Sequence, residues 1–552
     1  MDFDLVVTNG TVIDGTGTPG FRADVGVRDG KIAAVAEHGR LDGAATLDAT
    51  DLVVAPGFVD MHTHFDWYLP LPDHDRRLTP LLLQGITTIT TGMCGQSVAP
   101  VTELSEPILR HRLGAYGIDG GSQKEEQGYF RWHSVAEYLD ALEDAGVLFN
   151  AALLVGHGTL RYGVMGKRAD GADPDREEMA ALCSLLREAM DDGAFGLSAG
   201  LGYEPGMYAS SNELLDLLNV TAEEDGLYAV HSRSYSRISP VYPPGMETPA
   251  NVLSTREQLD LAAKAGVRLQ LSHLLFHGRR TWPTYHTVFE DVERAADDGL
   301  DVAFDSFPYT FGNTTINVNF PKWFLEDLEG HLDDPQALGR LEEELDTRNE
   351  LLGRDYRDII LMYGGAPELK QLEGVDFATI GDRLGLSPFD AYMHVVRKGQ
   401  GSARIIQDTY SGDAESEEPL RAVLAHPRCA FMTDTFVFDE GYANRAAYGT
   451  YPRILGHYVR DLGLLGLEEA VRRMTSFPAS RLGLEETIGH VAEGFAADLV
   501  VFDPRNVADT STREQPDATP TGIEAVLVSG RVAARKGRRV SAERHGRVLR
   551  RQ

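Results

Sequence analysis

Cysteine is nearly absent from the chain: 552 residues contain three, Cys94, Cys183 and Cys429, all far apart. No disulfide framework can be drawn between them, so a reducing compartment is expected and the location reads as cytoplasmic. Apolar runs of about 20 residues are also missing, which argues against a membrane-spanning helix. The opening residues, MDFDLVVTNGTVIDG, carry no basic segment followed by an apolar one, so no signal peptide is expected. Positive charge is in short supply, with 52 Lys and Arg against 84 Asp and Glu and a net charge of −32. Such a surface repels phosphate backbones and anionic lipid, which argues against nucleic acid and membranes as partners. The basic stretch from Arg535 to Arg551 is the exception and reads as a solvated end. What remains is globular in character, 42 % apolar and 25 % charged, and long enough for more than one domain.

The two ends share a texture that the middle lacks. Residues 1–56 read as short strands punctuated by Asn-Gly and Asp-Gly turns, and the pattern returns in ADLVVFDP (497–504) and IEAVLVSGRVAA (523–534). Either set of hairpins alone would bury too little, so residues 1–56 and 487–540 are expected to build one β-sandwich domain. Between them, over 57–486, apolar runs of strand length recur: GFVDMHTH, GITTITTG, FNAALLVGHG, GAFGLSAG, LYAVHSR, VRLQLSH, DVAFDSFPY and CAFMTDT. Helix-like segments fill most of the gaps, and four of these end in glycine, the residue a helix C-cap favours. Eight strands alternating with helices predict an α/β fold, a (β/α)8 barrel of the TIM type. About 120 residues separate the seventh run from the eighth, too many for a simple connection. Residues 312–428 therefore read as an inserted helical lobe after strand 7.

In such a barrel the chemistry stands at the C-terminal ends of the strands. There the sequence puts His62 and His64, then Cys94, His157, His231, His273 and Asp434. These are zinc-ligand types, and imidazoles mixed with a thiolate favour zinc over magnesium or calcium. His62 and His64 lie two apart on a strand, face the same side and can reach one ion. Cys94, in TGMCGQS, is flanked by glycine. As a thiolate it could bridge two ions or anchor one, and as a nucleophile it would leave the histidines unexplained. Asp434, in FMTDT, is the candidate proton carrier, because amide hydrolysis needs a base for water and an acid for the leaving nitrogen. Cys183 and Cys429 read as packing. His157 reads as one step removed from the metal, holding a ligand or a loop. His74, His277 and His286 read as surface residues.

APGFVDMHTHFD, GHVAEGFAADLVVFDP and Asp434 resemble the amidohydrolase superfamily. TGMCG, FGLSAGLGYEPG, DSFPYT and YGTYPRILGHY narrow the resemblance to the D-aminoacylase, or N-acyl-D-amino-acid deacylase, family over nearly the whole chain outside the insertion. That resemblance implies a tight zinc on Cys94, His231 and His273, and a weaker second metal position at His62 and His64 with Asp434 beside it as general base and acid. It implies a pocket lined by Tyr203 and Tyr309, a phenol donating to the developing oxyanion, and Arg445 near the substrate carboxylate. The chain departs from the family where a lysine usually follows the second metal histidine: here the run is SHLLFHG.

The expected activity is zinc-dependent cleavage of the exocyclic amide of a small N-acyl amino acid, with acyl group, amine part and chirality left open. A cyclic-amide hydrolase of the hydantoinase or dihydroorotase kind is the rival enzyme reading, disfavoured because no lysine ends any strand to serve as a carbamylated bridge. A metal-free barrel acting as a binding or scaffold subunit is the rival from another class. Homo-oligomerisation is left open.

Overall fold

The computed structural model describes residues 2–118, 129–239, 241–243, 245–400 and 402–551. All eight apolar runs form strands: β1 (Phe58–Asp60), β2 (Ile86–Thr91), β3 (Asn150–Leu153 continued by Val155–Gly156), β4 (Gly196–Gly200), β5 (Leu227–His231), β6 (Arg268–Leu271), β7 (Val302–Ser306) and β8 (Cys429–Phe431). Each pairs in parallel with its neighbours in chain order, β1 through the first part of β3 and then the second part of β3 through β8. The strands are buried on both faces, which is why they read as continuous apolar runs instead of alternating ones.

Side chains close the seam between β8 and β1. The Asp60 carboxylate accepts from the Thr433 amide (3.0 Å) and hydroxyl (2.6 Å), and the Tyr451 hydroxyl lies 2.9 Å from the Val59 oxygen and 3.2 Å from that of Phe431. Met61, Met93, Ala152, Leu154, Ala229, Ala430 and Met432 form one apolar cluster with Cys94.

The two ends of the chain pair as one nine-stranded sheet curled around a shared core of Leu5, Val25, Ile32, Val54, Leu499 and Leu527. Val53–Pro56 runs antiparallel to Leu499–Phe502 and splices the N-terminal part to the C-terminal part. The Asp-Gly turn expected from sequence is there, with Asp29 and Gly30 both at positive φ (51° and 73°), as a tight hairpin requires. The insertion between β7 and β8 carries the expected helices, among them Pro335–Leu352, Phe377–Leu384 and Pro388–Lys398. It adds a three-stranded antiparallel sheet of Phe311–Thr315, Ile359–Tyr363 and Arg404–Asp408, and it has its own core around Leu341, Phe377, Tyr392 and Ile405.

The basic end is a correction: it is docked, not solvated. The Ala151 amide donates to the Arg547 oxygen (3.0 Å), the Gly546 amide to Val147 (2.9 Å) and the Arg551 amide to Gly193 (3.0 Å). Those partners precede or open β3 and β4, so the segment straps the N-terminal floor of the barrel. The cause is charge complementarity in an acidic chain: Arg550 meets Asp140 (2.6 Å), Arg551 meets Glu224 (3.0 Å) and Arg547 meets Asp498 (3.4 Å). Two histidines expected at the surface also lie inside. His74 is buried with Nδ1 3.0 Å from the Leu71 oxygen, and burial with nearby Arg544 pushes its pKa down to about 4. His277 sits 3.0 Å from the Arg354 guanidinium. Among the described residues no helix is long and apolar enough to cross a membrane.

Candidate metal centre

The strand ends deliver their polar side chains to one point. His62 and His64 follow β1, Cys94 stands three residues past β2, His231 closes β5, His273 follows β6 and Asp434 follows β8. Cys94, His273 and Asp434 all have positive φ (55°, 34° and 42°), a strained conformation for residues with a Cβ. The chain turns inward sharply at these three positions instead of continuing along its strand. Gly92 and Gly95 make the turn around Cys94 possible: a Cβ on Gly92 would come within 2.0 Å of the Leu154 oxygen, and one on Gly95 within 2.6 Å of the Gly200 nitrogen.

The Cys94 sulfur lies 3.3 Å from His273 Nε2, 3.8 Å from His231 Nδ1 and 3.2 Å from His62 Nε2, and the His231 and His273 nitrogens are 3.0 Å apart. Tetrahedral zinc, with Zn–S of about 2.3 Å and Zn–N of about 2.0 Å, sets S···N and N···N separations of roughly 3.5 and 3.3 Å. The thiolate and imidazoles therefore fit a zinc ion in donor chemistry and in spacing. A second group adjoins the first: Asp434 Oδ1 lies 3.7 Å from His62 Nε2 and 3.6 Å from His64 Nε2. The His62 and His64 side chains are 0 % and 6 % exposed, whereas that of Asp434 is 22 % exposed, so the carboxylate is the part of the cluster that meets solvent.

The electrostatics follow from this crowding. Burial alone would raise the Cys94 thiol, but the imidazoles of His62, His273 and His231 outweigh it and hold the thiol well below its ordinary range. Burial would likewise raise Asp434, and His62 and His64 pull its carboxyl down to about 2. His231 is lowered by burial and by the neighbouring His273.

Several residues that hold this cluster carried no signal in the sequence. Asp305 accepts from the His273 amide (2.6 Å) and from Gln270 Nε2 (2.8 Å), and its carboxylate faces His62 Nδ1 at 3.7 Å. Ser198 accepts from the Gly95 amide (3.0 Å) and donates to the Gly92 oxygen (2.6 Å), pinning the Cys94 turn from both sides. Tyr235 sets its ring edge-on to His231 and His273, each at 4.9 Å, while its hydroxyl donates to the Ser272 oxygen (2.9 Å). A carboxylate inside a β7 strand, a serine inside β4 and a tyrosine in a long loop look ordinary until the strands are placed side by side.

The residues expected to line the pocket are engaged. The Tyr203 hydroxyl donates to the Cys94 oxygen (2.8 Å) and its ring packs edge-on to His231 at 4.9 Å, so it braces the centre instead of presenting a free phenol. Tyr309 packs in the same apolar cluster as Cys94, but its hydroxyl donates to Asp509 (3.0 Å). Arg445 donates to the Ser511 hydroxyl (3.0 Å) and main-chain oxygen (2.7 Å) and pairs with Asp509 (3.3 Å). Segment 509–511 returns to the rim from the terminal part of the chain and occupies both groups. His157 is buried with Nε2 2.8 Å from Glu213, which in turn binds Arg161 at 2.5 Å. It anchors the start of the helix that follows β3, His157–Met165, and touches none of the clustered ligand atoms.

Comparison with known proteins gives the family of the chain. The family model described as amidohydrolase family matches residues 45–304 and 375–534. The chain belongs to the amidohydrolase family. Within the family it groups with the D-aminoacylases. It is 34 % identical over 528 residues to the D-aminoacylase of Alcaligenes xylosoxydans xylosoxydans, covering 96 % of this chain and 94 % of that one. The N-acyl-D-aspartate deacylase of the same organism is 31 % identical over 99 % of this chain and 95 % of its own. The crystal structure of N-acyl-D-glutamate deacylase from Bordetella bronchiseptica, complexed with zinc and a phosphonate mimic of the tetrahedral intermediate, superposes with a TM-score of 0.79 at 30 % identity over 100 % of both chains. This amidohydrolase has the β1 His-x-His, the Cys after β2 and the Asp after β8 at the mouth of its barrel.

Proposed function

We propose that this amidohydrolase cleaves the exocyclic amide of an N-acyl amino acid, giving a carboxylic acid and a free amine. The observation that carries the reading is the convergence of Cys94, His231 and His273 within 3.8 Å of one another, with a solvent-facing carboxylate on the adjoining side. We assign the tight zinc to those three residues and a second, weaker metal position to His62 and His64. A zinc ion held there supplies Lewis acidity, which polarises a carbonyl and makes water a better acid.

The protein's own groups do the rest. Asp434 accepts a proton from the attacking water at its carboxylate oxygen and returns it to the departing nitrogen, so the amide C–N bond breaks as the new C–O bond is kept. Its low pKa keeps it ionised at neutral pH. Asp305 and Ser198 hold the His273 and Cys94 turns, so the ligands are oriented before substrate arrives. The named activities of the relatives, on N-acyl-D-amino acids, favour the D configuration for the substrate. Three unpaired cysteines support a reducing, cytoplasmic setting.

The test is a panel of N-acyl amino acids of both configurations beside hydantoins and dihydroorotate, run on enzyme whose zinc content has been measured. Amine release from an N-acyl amino acid is expected; ring opening of the cyclic amides alone would overturn the reading.

A further inference from the structure

Acids outnumber bases by 84 to 52 in this chain, yet three guanidiniums gather where the inserted lobe meets the barrel without an acid to pair with. Arg237 lies in the loop after β5, Arg348 on the helix Pro335–Leu352 and Arg354 just past that helix. Among the described residues no carboxylate lies within 4.0 Å of any of them. Arg354 is satisfied by neutral groups alone, Asn349 (2.9 Å), His277 (3.0 Å), Gln407 (3.1 Å) and Asn319 (2.7 Å). Arg348 and Arg237 each make a single side-chain hydrogen bond, to the main-chain oxygens of Asn319 (3.0 Å) and Arg280 (3.3 Å). A guanidinium has five N–H donors, so most of theirs meet no protein partner. Burial and the nearby Arg354 charge push Arg348 down to about 10, and burial with both arginines holds His277 well below its ordinary range.

Arg348, half-buried, and Arg237, exposed, line one cavity of about 500 Å³ between the loop after β5 and the helix Pro335–Leu352. That volume falls in the range of small-molecule sites, roughly 300–1,000 Å³. Ile238, Leu253, Pro321 and Leu345 supply apolar wall, and Met246 and Leu351 stand at its mouth, 48 % and 43 % exposed. Two acids, Glu343 and Glu344, also line it, but Glu344 is taken by Arg340 (2.9 Å) and Trp323 (3.0 Å). One free carboxylate then faces two guanidiniums, a surplus that suits a monoanion, and a planar carboxylate matches the guanidinium fork. None of the clustered metal-binding residues lines this cavity. Between the two sites stands Arg354, which reaches Asn319 on the cavity wall with one terminal nitrogen and His277 with the other. The His277 ring in turn packs edge-on to Tyr410 at 4.9 Å, on the side of the Cys94 cluster.

We propose that this cavity is a second ligand site, apart from the metal centre, that takes an aliphatic carboxylate. Arg348 receives the carboxylate, Arg237 adds charge at the mouth, and the alkyl chain lies against Ile238, Leu253 and Leu345. The proposal does not depend on the deacylase reading above, because it concerns binding at a place the reaction does not use.

The experiment is calorimetric titration of the zinc-loaded full chain with octanoate, octanol and inorganic phosphate. Octanoate is expected to bind, with octanol and phosphate each at least about 10-fold weaker, since one lacks the charge-assisted pair and the other the apolar contact. Octanol or phosphate binding as tightly as octanoate, or no octanoate binding at all, overturns the proposal. In Arg348→Met the octanoate Kd is expected to rise about 10- to 100-fold, and an unchanged Kd overturns the assignment. Saturating acetohydroxamate, a zinc-binding competitor, should leave the octanoate Kd where it was; displacement of octanoate would put the binding at the metal and retire the second site. Should Arg348→Met melt early, Leu351→Glu carries the test at an exposed position: the added carboxylate at the mouth opposes the anion and should weaken octanoate about 10-fold, and no weakening overturns the proposal.

Discussion

The rim of the barrel and the inserted lobe reach the same cluster by different routes. At the rim, each ligand stands at or just past the end of a strand, and three of them sit at positive φ. The strand scaffold determines where they are, and local backbone turns aim them. In the lobe, Phe311 and the partly buried Tyr410 come from the first strand and the exit loop of a separate sheet with its own core. The rim can therefore hold a metal on barrel geometry alone, whereas the lobe contributes only through how it docks. Polar contacts hold that docking: Arg354 of the lobe donates to His277 on the barrel side (3.0 Å) as well as to Gln407 (3.1 Å) and Asn319 (2.7 Å), and Arg279 of the barrel pairs with Asp358 (2.9 Å) and Asp413 (2.7 Å) of the lobe.

The comparison breaks most visibly at Cys94. Cys94→Ala is expected to lose the tight zinc and to lower kcat/KM by about three orders of magnitude or more, the equivalent of roughly 4 kcal/mol. Elemental analysis showing full metal in that variant would dissolve the rim assignment. Asp434→Asn should reduce kcat by about 100- to 10,000-fold while zinc remains bound, because the proton carrier is removed and Cys94, His231 and His273 are not. Removing Asp305, as in Asp305→Ala, is expected to weaken zinc by about 10- to 100-fold, read by competition with a chelator, since the His273 amide loses its acceptor.

The lobe should respond differently. Arg354→Ala leaves His277, Gln407 and Asn319 without a shared donor and is expected to cost about 1–3 kcal/mol in thermal stability with zinc content unchanged. Zinc loss there would mean that rim and lobe are one unit. The floor provides the smallest effect. A Cβ on Gly546 would meet the Phe149 oxygen at 2.0 Å, so Gly546→Ala should loosen the C-terminal strap and lower the melting temperature by a few degrees, at about 1 kcal/mol, with kcat unchanged.

Much of the rim was legible in the sequence because parallel barrel strands announce themselves twice. They are apolar throughout, and the polar residue that ends each run marks the face where ligands gather. His62, His64, Cys94, His231, His273 and Asp434 were each readable in that way. Asp305, Ser198 and Tyr235 were not, since their partners are backbone groups and rings on other strands. Arg348 was hidden more deeply. It stands in an ordinary helix, ELDTRNELL, and nothing local distinguishes it from the chain's paired arginines. The reading of the C-terminal arginines as solvated failed for a related reason: the acids that hold them lie about 330 to 410 residues away in sequence, at Asp140 and Glu224.

By itself the sequence determined the strand and helix rhythm, the terminal hairpins with their Asp-Gly turns, and the inventory of metal-binding side chains. These depend on residue periodicity, on backbone preferences at glycine and on donor chemistry, all of which are local. Tertiary structure alone decided which polar groups are satisfied by one another and which are left facing open space. Closure of the β8–β1 seam, engagement of Arg445 by segment 509–511 and the unpaired charge of Arg348 are all outcomes of long-range packing. Hydrogen-bond satisfaction is a property of pairs, and no single position in the chain carries its partner's address.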